Sequence, residues 1–360
     1  MANRPVHLLA TPNVQSTADY YLDVFNGITR RFATLLHDLD IPVYLYGSEE
    51  ADCPVDELIT CVTKKEQADW LGDVPYQHAW YDKANPMFAA FNARANAAIQ
   101  KRKAPGDWIC TIAGSANLPI WQQHSECRFL EYSIGYKGVC APYRIYQSQA
   151  WRHVLHGVCG MDYGRTTDDV IYHWMPEDDF PEGQPEDYVL YVGRINDVKG
   201  ITGVCESARA AGVRLVLIGE GDISLITYGE YLGTWPAAER NRWMAGAKAL
   251  LCPTQYIEPS ATVVVEAQLC GTPVISTPWG GFPEYIEDRR TGFLCKSPRE
   301  FVQAIDRVSE LDRDYTRARA RLLYGWDAGK RAYQQYFERQ EQLLYVPLAQ
   351  RPLVEEQTWP

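Results

Sequence analysis

Glu258 and Glu266 stand eight residues apart in the stretch LLCPTQYIEPSATVVVEAQLCGTPVISTPWGGFPE (Leu250 to Glu284), and two cations, Arg194 and Lys199, occupy the earlier run GRINDVKG. Together these groups suit a ligand that carries both negative charge and hydroxyls. A helix expected to begin at Pro259 and Ser260 leaves amides around Ala261, Thr262 and Val263 without intrahelical acceptors, at the positive end of the helix dipole, which makes a seat for phosphate. Glu266 lies four residues past Thr262, on the same face and one turn further in. A carboxylate there repels phosphate and suits hydroxyls, ribose being the expected partner. Glu258, in the turn before the helix, reaches the other side of the phosphates, where a sugar would sit. Arg194 offers a planar fork and Lys199 a compact charge for a diphosphate, while the flanking Gly193 and Gly200 allow close backbone approach. Any one of these charges alone is equally a solvated or dipole-complementing residue; their combination points to a site.

The elements that must position them read as repeated strand-loop-helix units. In the second half YVLYVG, VRLVLIG and ALLCPT are short apolar strands, each followed by a loop and a helical pattern, and TPVIS is another strand. The first half opens with a strand over Pro5 to Leu9, a loop, and a helix with Tyr21, Val24, Phe25, Ile28, Phe32, Leu35 and Leu36 on one side, for which Ser16 or Thr17 is the expected cap. The loop after the strand DWICTIAG places Ser115, Asn117 and His124 where open α/β sheets put ligand groups, making them acceptor-side candidates, although a lone histidine is more often a packing residue. Lys101, Arg102 and Lys103 complement a helix end or touch an anionic acceptor. The Pro-rich acidic run PEDDFPEGQPED is the expected domain boundary.

Composition narrows the class. With 360 residues and 46% hydrophobic content, two packed domains are expected. A net charge of −11 argues against holding nucleic acid through a general basic field. Ten cysteines spread singly, with no CxxC pair, read as reduced thiols. The leading MANRPVHLLATPN has too short an apolar run for a signal peptide, and no later stretch reaches membrane-spanning length, so a cytoplasmic protein is expected. No strand is followed by GxGxxG or GxxxxGK[ST], which removes the main support for dinucleotide oxidoreductase and P-loop readings. Asp38-x-Asp40 and Asp312-x-Asp314 fall in or beside helices and read as solvated charge, and His153 and His156 lack further ligands, so no metal is expected.

GRINDVKG, LIGEGD and EPSATVVVEAQLCGTPVISTPWGGFPEYIEDRRTGFL, in that order, resemble the C-terminal domain of the retaining nucleotide-sugar glycosyltransferases of family 4. The resemblance implies an α/β protein of GT-B architecture, with two Rossmann-like domains facing each other across a cleft. The expected divisions are an acceptor-side domain over 1–180, a nucleotide-sugar domain over 187–322, a closing helix over 323–345 that packs back on the first domain, and a tail over 346–360. YGWDAGKRAYQQYF looks like that closing helix. Carried over by position, the resemblance implies that Arg194 and Lys199 hold the donor diphosphate and, with Glu258 against the donor sugar, form the catalytic group. Glu266 would hold the ribose, Ser260 to Val263 would supply amides, and Gly219 and Gly221, with Gly193, would line the nucleotide pocket. The first half departs from the family: PNVQSTADYY replaces the usual glycine pair of the first loop, and the histidine-bearing acceptor motif is not evident. LEYSIGY and YQSQAW are similar to a divergent subgroup met in phages and environmental bacteria, which would place the protein in a host cytoplasm. The expected function is metal-independent, cofactor-free transfer of a hexosyl or pentosyl group from a nucleotide-diphosphate sugar to a hydroxyl acceptor, with retention. The alternatives are a phage-type transferase acting on a hydroxymethylated base in DNA, a nucleotide-sugar epimerase, and a binding module without turnover.

Overall fold

The computed structural model describes residues 4–342; the tail over 346–360 and the last residues of the expected closing helix lie outside them. The chain divides into two compact units. The first runs to Tyr146, adds Val154–Ile171 and resumes at Lys330; the second comprises Gln147–His153 and Tyr172–Gly329.

The first unit contains seven strands, β1 (Val6–Leu9), β2 (Val43–Gly47), β3 (Glu57–Thr60), β4 (Trp108–Thr111), β5 (Arg128–Ile134), β6 (Tyr143–Tyr146) and β7 (Asp168–Val170). Its helices are α1 (Val24–His37), α2 (Lys64–Leu71), α3 (Pro86–Gln100), α4 (Leu118–Gln123) and α5 (Gln149–Val158), the last of which starts in residues grouped with the second unit. The strands form one parallel sheet in the order β3-β2-β1-β4-β5-β6-β7. The second unit holds β8 (Tyr188–Val192), β9 (Arg214–Ile218), β10 (Glu230–Tyr231), β11 (Leu250–Cys252), β12 (Val274–Ser276) and β13 (Gly292–Leu294). They form a parallel sheet in the order β10-β9-β8-β11-β12-β13. Its helices are α6 (Ile201–Ala210), α7 (Ala237–Gly246), α8 (Thr262–Leu269), α9 (Phe282–Tyr285), α10 (Pro298–Arg307) and α11 (Arg313–Tyr324).

All-parallel strands must be covered on both faces, which is why they read as continuous apolar runs. In β8, Tyr188, Leu190 and Val192 pack with α7, α8 and α11 residues, while Val189 and Tyr191 turn to the opposite face and pack with α6 and α10. In the first unit Phe32 of α1 stacks on Tyr132 of β5 at 4.2 Å between ring centroids. Phe32 also meets Tyr333 of the final helix α12 (Trp326–Gln342) at 4.9 Å.

Several local expectations shift. α1 begins at Val24, not near Thr17, because Asp23 caps it by accepting from the Asn26 amide at 2.9 Å, whereas Ser16 is held by backbone bonds to Glu50 and Asp52. The acidic connector PEDDFPEGQPED, residues 176–187, lies within the second unit and is not where the units divide. Tyr172, Met175 and Phe180 already pack into the core of the second unit, so the division falls at Ile171. All ten cysteines are unpaired.

Candidate active site

Open parallel sheets bind ligands beyond the carboxyl ends of their strands, at the point where strand order reverses. In the second unit that point lies between β8 and β11. The loop after β8 carries Arg194 and Lys199, and the loop after β11 carries Glu258. Residues 59 positions apart are thereby brought into contact: Lys199 Nζ donates to Glu258 Oε2 at 2.5 Å. Both side chains are largely buried, and the ammonium also lies over the Tyr256 ring, 5.1 Å from its centroid. Burial alone would lower the lysine pKa, but the Glu258 carboxylate and then the Tyr256 hydroxyl more than offset it, so Lys199 is held above its ordinary value and charged. Arg194 is exposed in the same loop as Lys199, its main chain fixed by Tyr191, whose hydroxyl donates to the Arg194 carbonyl at 2.6 Å.

The glycines are explained by backbone contact. Gly219 has φ +152, and a Cβ there would stand 1.8 Å from the Gly193 carbonyl oxygen. Gly221, at φ +140, would place one 2.2 Å from the Ile195 oxygen. The turn after β9 is therefore zipped onto the turn after β8, with Ile195 N donating to Glu220 O at 2.7 Å and Asp222 N to Ile195 O at 2.9 Å. Gly280, at φ +64, would set a Cβ 2.4 Å from the Glu258 carbonyl oxygen, so the WGG turn clamps the main chain that carries Glu258.

α8 begins at Thr262, two to three residues later than expected, with Ala261 at the cap position and no side chain bonded to its first amides. Alanine is a poor cap, worth about 1 kcal/mol less than serine or aspartate, so the terminus is left open to an external anion. Ser260 does not face it as a cap: its buried hydroxyl donates to Gln147 Oε1 at 2.7 Å and lies 2.7 Å from His173 Nε2. Glu266 is buried on α8, where Oε1 accepts from Arg240 Nη2 at 2.8 Å, while Oε2 accepts no hydrogen bond from the described residues. Tyr256, Arg240, His173 and the Gly280-Gly281 turn were not legible as site residues. Each acts through a long-range contact with no local signature.

In the first unit the equivalent reversal lies between β1 and β4. Ser115 is at that edge, its amide donating to Gly138 O at 2.8 Å. Asn117 is buried in a hydrogen-bond chain between Thr111 and Asn92 and faces no open edge. His124 ends α4, which runs back toward the start of β5, so it sits at the opposite end of the sheet from Ser115. There Lys103 Nζ lies 2.7 Å from its Nδ1. Two of the three residues of the basic run are engaged, Arg102 with Glu57 and Lys103 with Glu126, which leaves Lys101 as the exposed charge of that run. The edge instead gathers residues that were not site candidates in the sequence. Asp23 accepts from Asn13 at 2.7 Å and from the Tyr81 hydroxyl at 3.2 Å, Phe25 packs on Tyr81 and Tyr136, and burial pushes the Asp23 carboxyl upward despite those bonds. Asp23 ahead of an apolar helix was a readable cap signal. Within LEYSIGY, fully buried Glu131 accepts from the Cys140 and Ala141 amides at 2.6 and 2.8 Å and from the Tyr136 hydroxyl at 3.1 Å, anchoring the loop that presents Tyr136.

Burial first, and the Lys103 ammonium second, push His124 down to about 4. A histidine whose folded pKa lies below its unfolded value of about 6.5 contributes full stability above that value, and the contribution is lost as pH falls toward 4 because the unfolded chain takes up the proton first. His124→Gln should therefore reduce the fall in urea midpoint between pH 7 and pH 4.5 relative to wild type. An unchanged fall would show that His124 is not held neutral.

Among the described residues no group of three His, Cys, Asp or Glu side chains is placed to hold a metal ion, and no helix is long and apolar enough to cross a membrane. Asp38 caps the end of α1 and Asp312 the start of α11.

Two parallel α/β units of this kind, the second with its charged groups at the strand-order reversal, define the GT-B class of fold. Residues 176–322 match the family described as Glycosyl transferases group 1. Among curated relatives, the chain is 28% identical over 169 residues to spore coat protein SA of Bacillus subtilis, covering 38% of this chain and 45% of that protein. It is 33% identical over 132 residues to the D-inositol 3-phosphate glycosyltransferase of Segniliparus rotundus, covering 31% and 29%. The chain thus spans less than half the length of these relatives. Among solved structures, sucrose-phosphate synthase from Thermosynechococcus elongatus superposes with a TM-score of 0.68 at 16% identity, over 94% of this chain and 99% of that one. HepE of Anabaena in complex with UDP and glucose gives 0.64 at 16% identity, over 93% and 99%. At such identities the structural likeness speaks for the fold alone.

Proposed function

We propose that this protein is a retaining glycosyltransferase that moves a sugar from a nucleotide-diphosphate donor to a hydroxyl acceptor without a metal ion. The observation that carries the reading is the buried Lys199–Glu258 pair at the strand-order reversal of the second unit, beside the uncapped start of α8. Departure of the diphosphate is the difficult event, and preorganised positive groups aimed at developing charge are how a protein assists it. Lys199, Arg194 and the α8 amides supply such groups. Glu266 Oε2 is a buried acceptor without a partner among the described residues, a condition that costs about 1–3 kcal/mol; a ribose hydroxyl would relieve it. In the transfer, the bond from the anomeric carbon to the phosphate oxygen breaks and a bond to the acceptor oxygen forms on the same face. The acceptor proton passes to the departing phosphate.

The complex of HepE with UDP and glucose makes uridine diphosphate sugars the first donors to try. A ligand that binds only the folded state raises its stability. UDP-, GDP-, ADP- and dTDP-sugars, screened by thermal shift with EDTA present, should therefore yield at least one that raises Tm. Product analysis by NMR should then show the donor's anomeric configuration kept. No stabilisation by any donor would overturn the reading, and conversion of donor to an isomer without acceptor would favour the epimerase.

A further inference from the structure

We infer that His173 is a positioning residue for the donor diphosphate, acting through Ser260 on the turn that begins α8; this rests on the donor reading above. His173 is 6% exposed, and its Nε2 lies 2.7 Å from Ser260 Oγ and 3.3 Å from Thr262 Oγ1. Ser260 has a single hydroxyl proton, which it donates to Gln147 Oε1 at 2.7 Å. Nε2 must therefore carry a proton and donate it to Ser260, so the order of donation runs from His173 to Ser260 to Gln147. Gln147 is itself held, its main-chain oxygen accepting from the Tyr285 hydroxyl at 2.7 Å. The His173 amide donates to that same hydroxyl at 3.3 Å. The adjoining Ser148 hydroxyl donates to the Pro259 carbonyl, one residue before Ser260.

The arrangement solves a particular problem. A helix start is ordinarily fixed by a cap side chain that bonds its first amides, and such a side chain would compete with an incoming phosphate for them. Here the cap position is Ala261, and the preceding serine points its hydroxyl away from the helix into the His173–Gln147 pair. The Gly280-Gly281 turn closes the other side, since a Cβ on Gly281 would lie 2.6 Å from the Pro259 oxygen. The turn from Glu258 to Thr262 is thus held from outside, rigid yet with its amides open. Preorganisation of this kind affects the reacting group rather than overall stability, because misplacement of donors by a fraction of an ångström weakens their hold on charge.

The test compares wild type with His173→Leu, which keeps bulk and removes the donor, and His173→Gln, whose amide N–H can replace Nε2–H. Affinity for UDP, GDP, ADP, dTDP and inorganic pyrophosphate is measured by calorimetry below the melting temperature of each variant. His173→Leu should weaken the ligand that wild type binds about tenfold and raise the donor KM without changing the acceptor KM, while His173→Gln should recover affinity to within about threefold. Ser260→Ala should show the same loss. Combining it with His173→Leu should add little, as expected for groups acting in one chain. Should His173→Leu not fold, Ser260→Ala and His173→Gln decide the matter. Unchanged affinity in folded His173→Leu or in Ser260→Ala, with only Tm lowered, would make His173 a packing residue and overturn the inference. Wild type that binds none of the five ligands would instead remove the donor reading, and this inference with it.

Discussion

Lys199→Ala should lose donor binding and stability together, for two separable reasons. The ammonium is the only side-chain cation in hydrogen-bond contact with Glu258 among the described residues, and that carboxylate is 6% exposed. Removing one partner of a buried pair leaves the other charge uncompensated, at a cost of about 3 kcal/mol, which urea unfolding would read. Donor affinity should fall about tenfold to a hundredfold, the range expected for losing a charge-assisted hydrogen bond to phosphate. Turnover should fall further if the ammonium meets more charge in the transition state than in the bound donor. The double variant Lys199→Ala with Glu258→Ala separates the effects. It should recover most of the stability, since no charge is stranded, and none of the donor affinity. Unaltered affinity by calorimetry in Lys199→Ala would sink the diphosphate assignment, and an equal stability loss in the double variant would show that the pair is not coupled.

Gly219→Ala should be the most damaging single-methyl change in the second unit. An added Cβ would lie 1.8 Å from the Gly193 oxygen and 2.8 Å from the Gly193 carbonyl carbon, both backbone atoms, so relief requires the turn after β8 to move away from the turn after β9. The residue also has φ +152, where side chains are strained. We expect a loss of about 4 kcal/mol or more, the range reserved for a named steric conflict, and an Arg194 loop no longer held in place. Gly233→Ala is the control: it too has positive φ, +78, but a Cβ there meets nothing within 4 Å. Only the conformational penalty, roughly 1 kcal/mol, should remain. Urea midpoints of the two variants should differ accordingly; similar values would mean that the close approach of the two turns is not maintained in solution.

The candidate groups of the two units were unequally legible. Glu258, Glu266, Arg194, Lys199 and the glycines stood out as candidates because charged groups and glycines at strand ends are a local pattern, and the structure brings Lys199 to Glu258. Acceptor-side choices made by the same reasoning fared differently. Ser115 stands at the carboxyl edge, Asn117 is consumed by Thr111 and Asn92, and His124 lies at the far end of α4. A loop can be recognised from its composition, but which end of the next helix a residue occupies depends on where that helix starts and stops, and a boundary moved by a few residues turns a ligand group into a packing group. Asp23, Asn13 and Tyr81 show the converse, since three ordinary residues up to 68 positions apart converge only when the sheet has formed.

The sequence by itself determined that this is an α/β protein of two units, because apolar runs of strand length alternate with helical periodicity and parallel strands need cover on both faces. It also determined which charges stand at strand ends in the second half. Only the tertiary structure decided which of them meet. Strand order places β8 beside β11, although β9 and β10 intervene in the chain, and so joins Lys199 to Glu258. Helix packing sets Arg240 against Glu266, and the loops after β6, β7 and β11 bring Gln147 and His173 against Ser260. These contacts are set by crossovers and side-chain directions that no local window of sequence contains, because the free energy selecting them belongs to the packed unit as a whole.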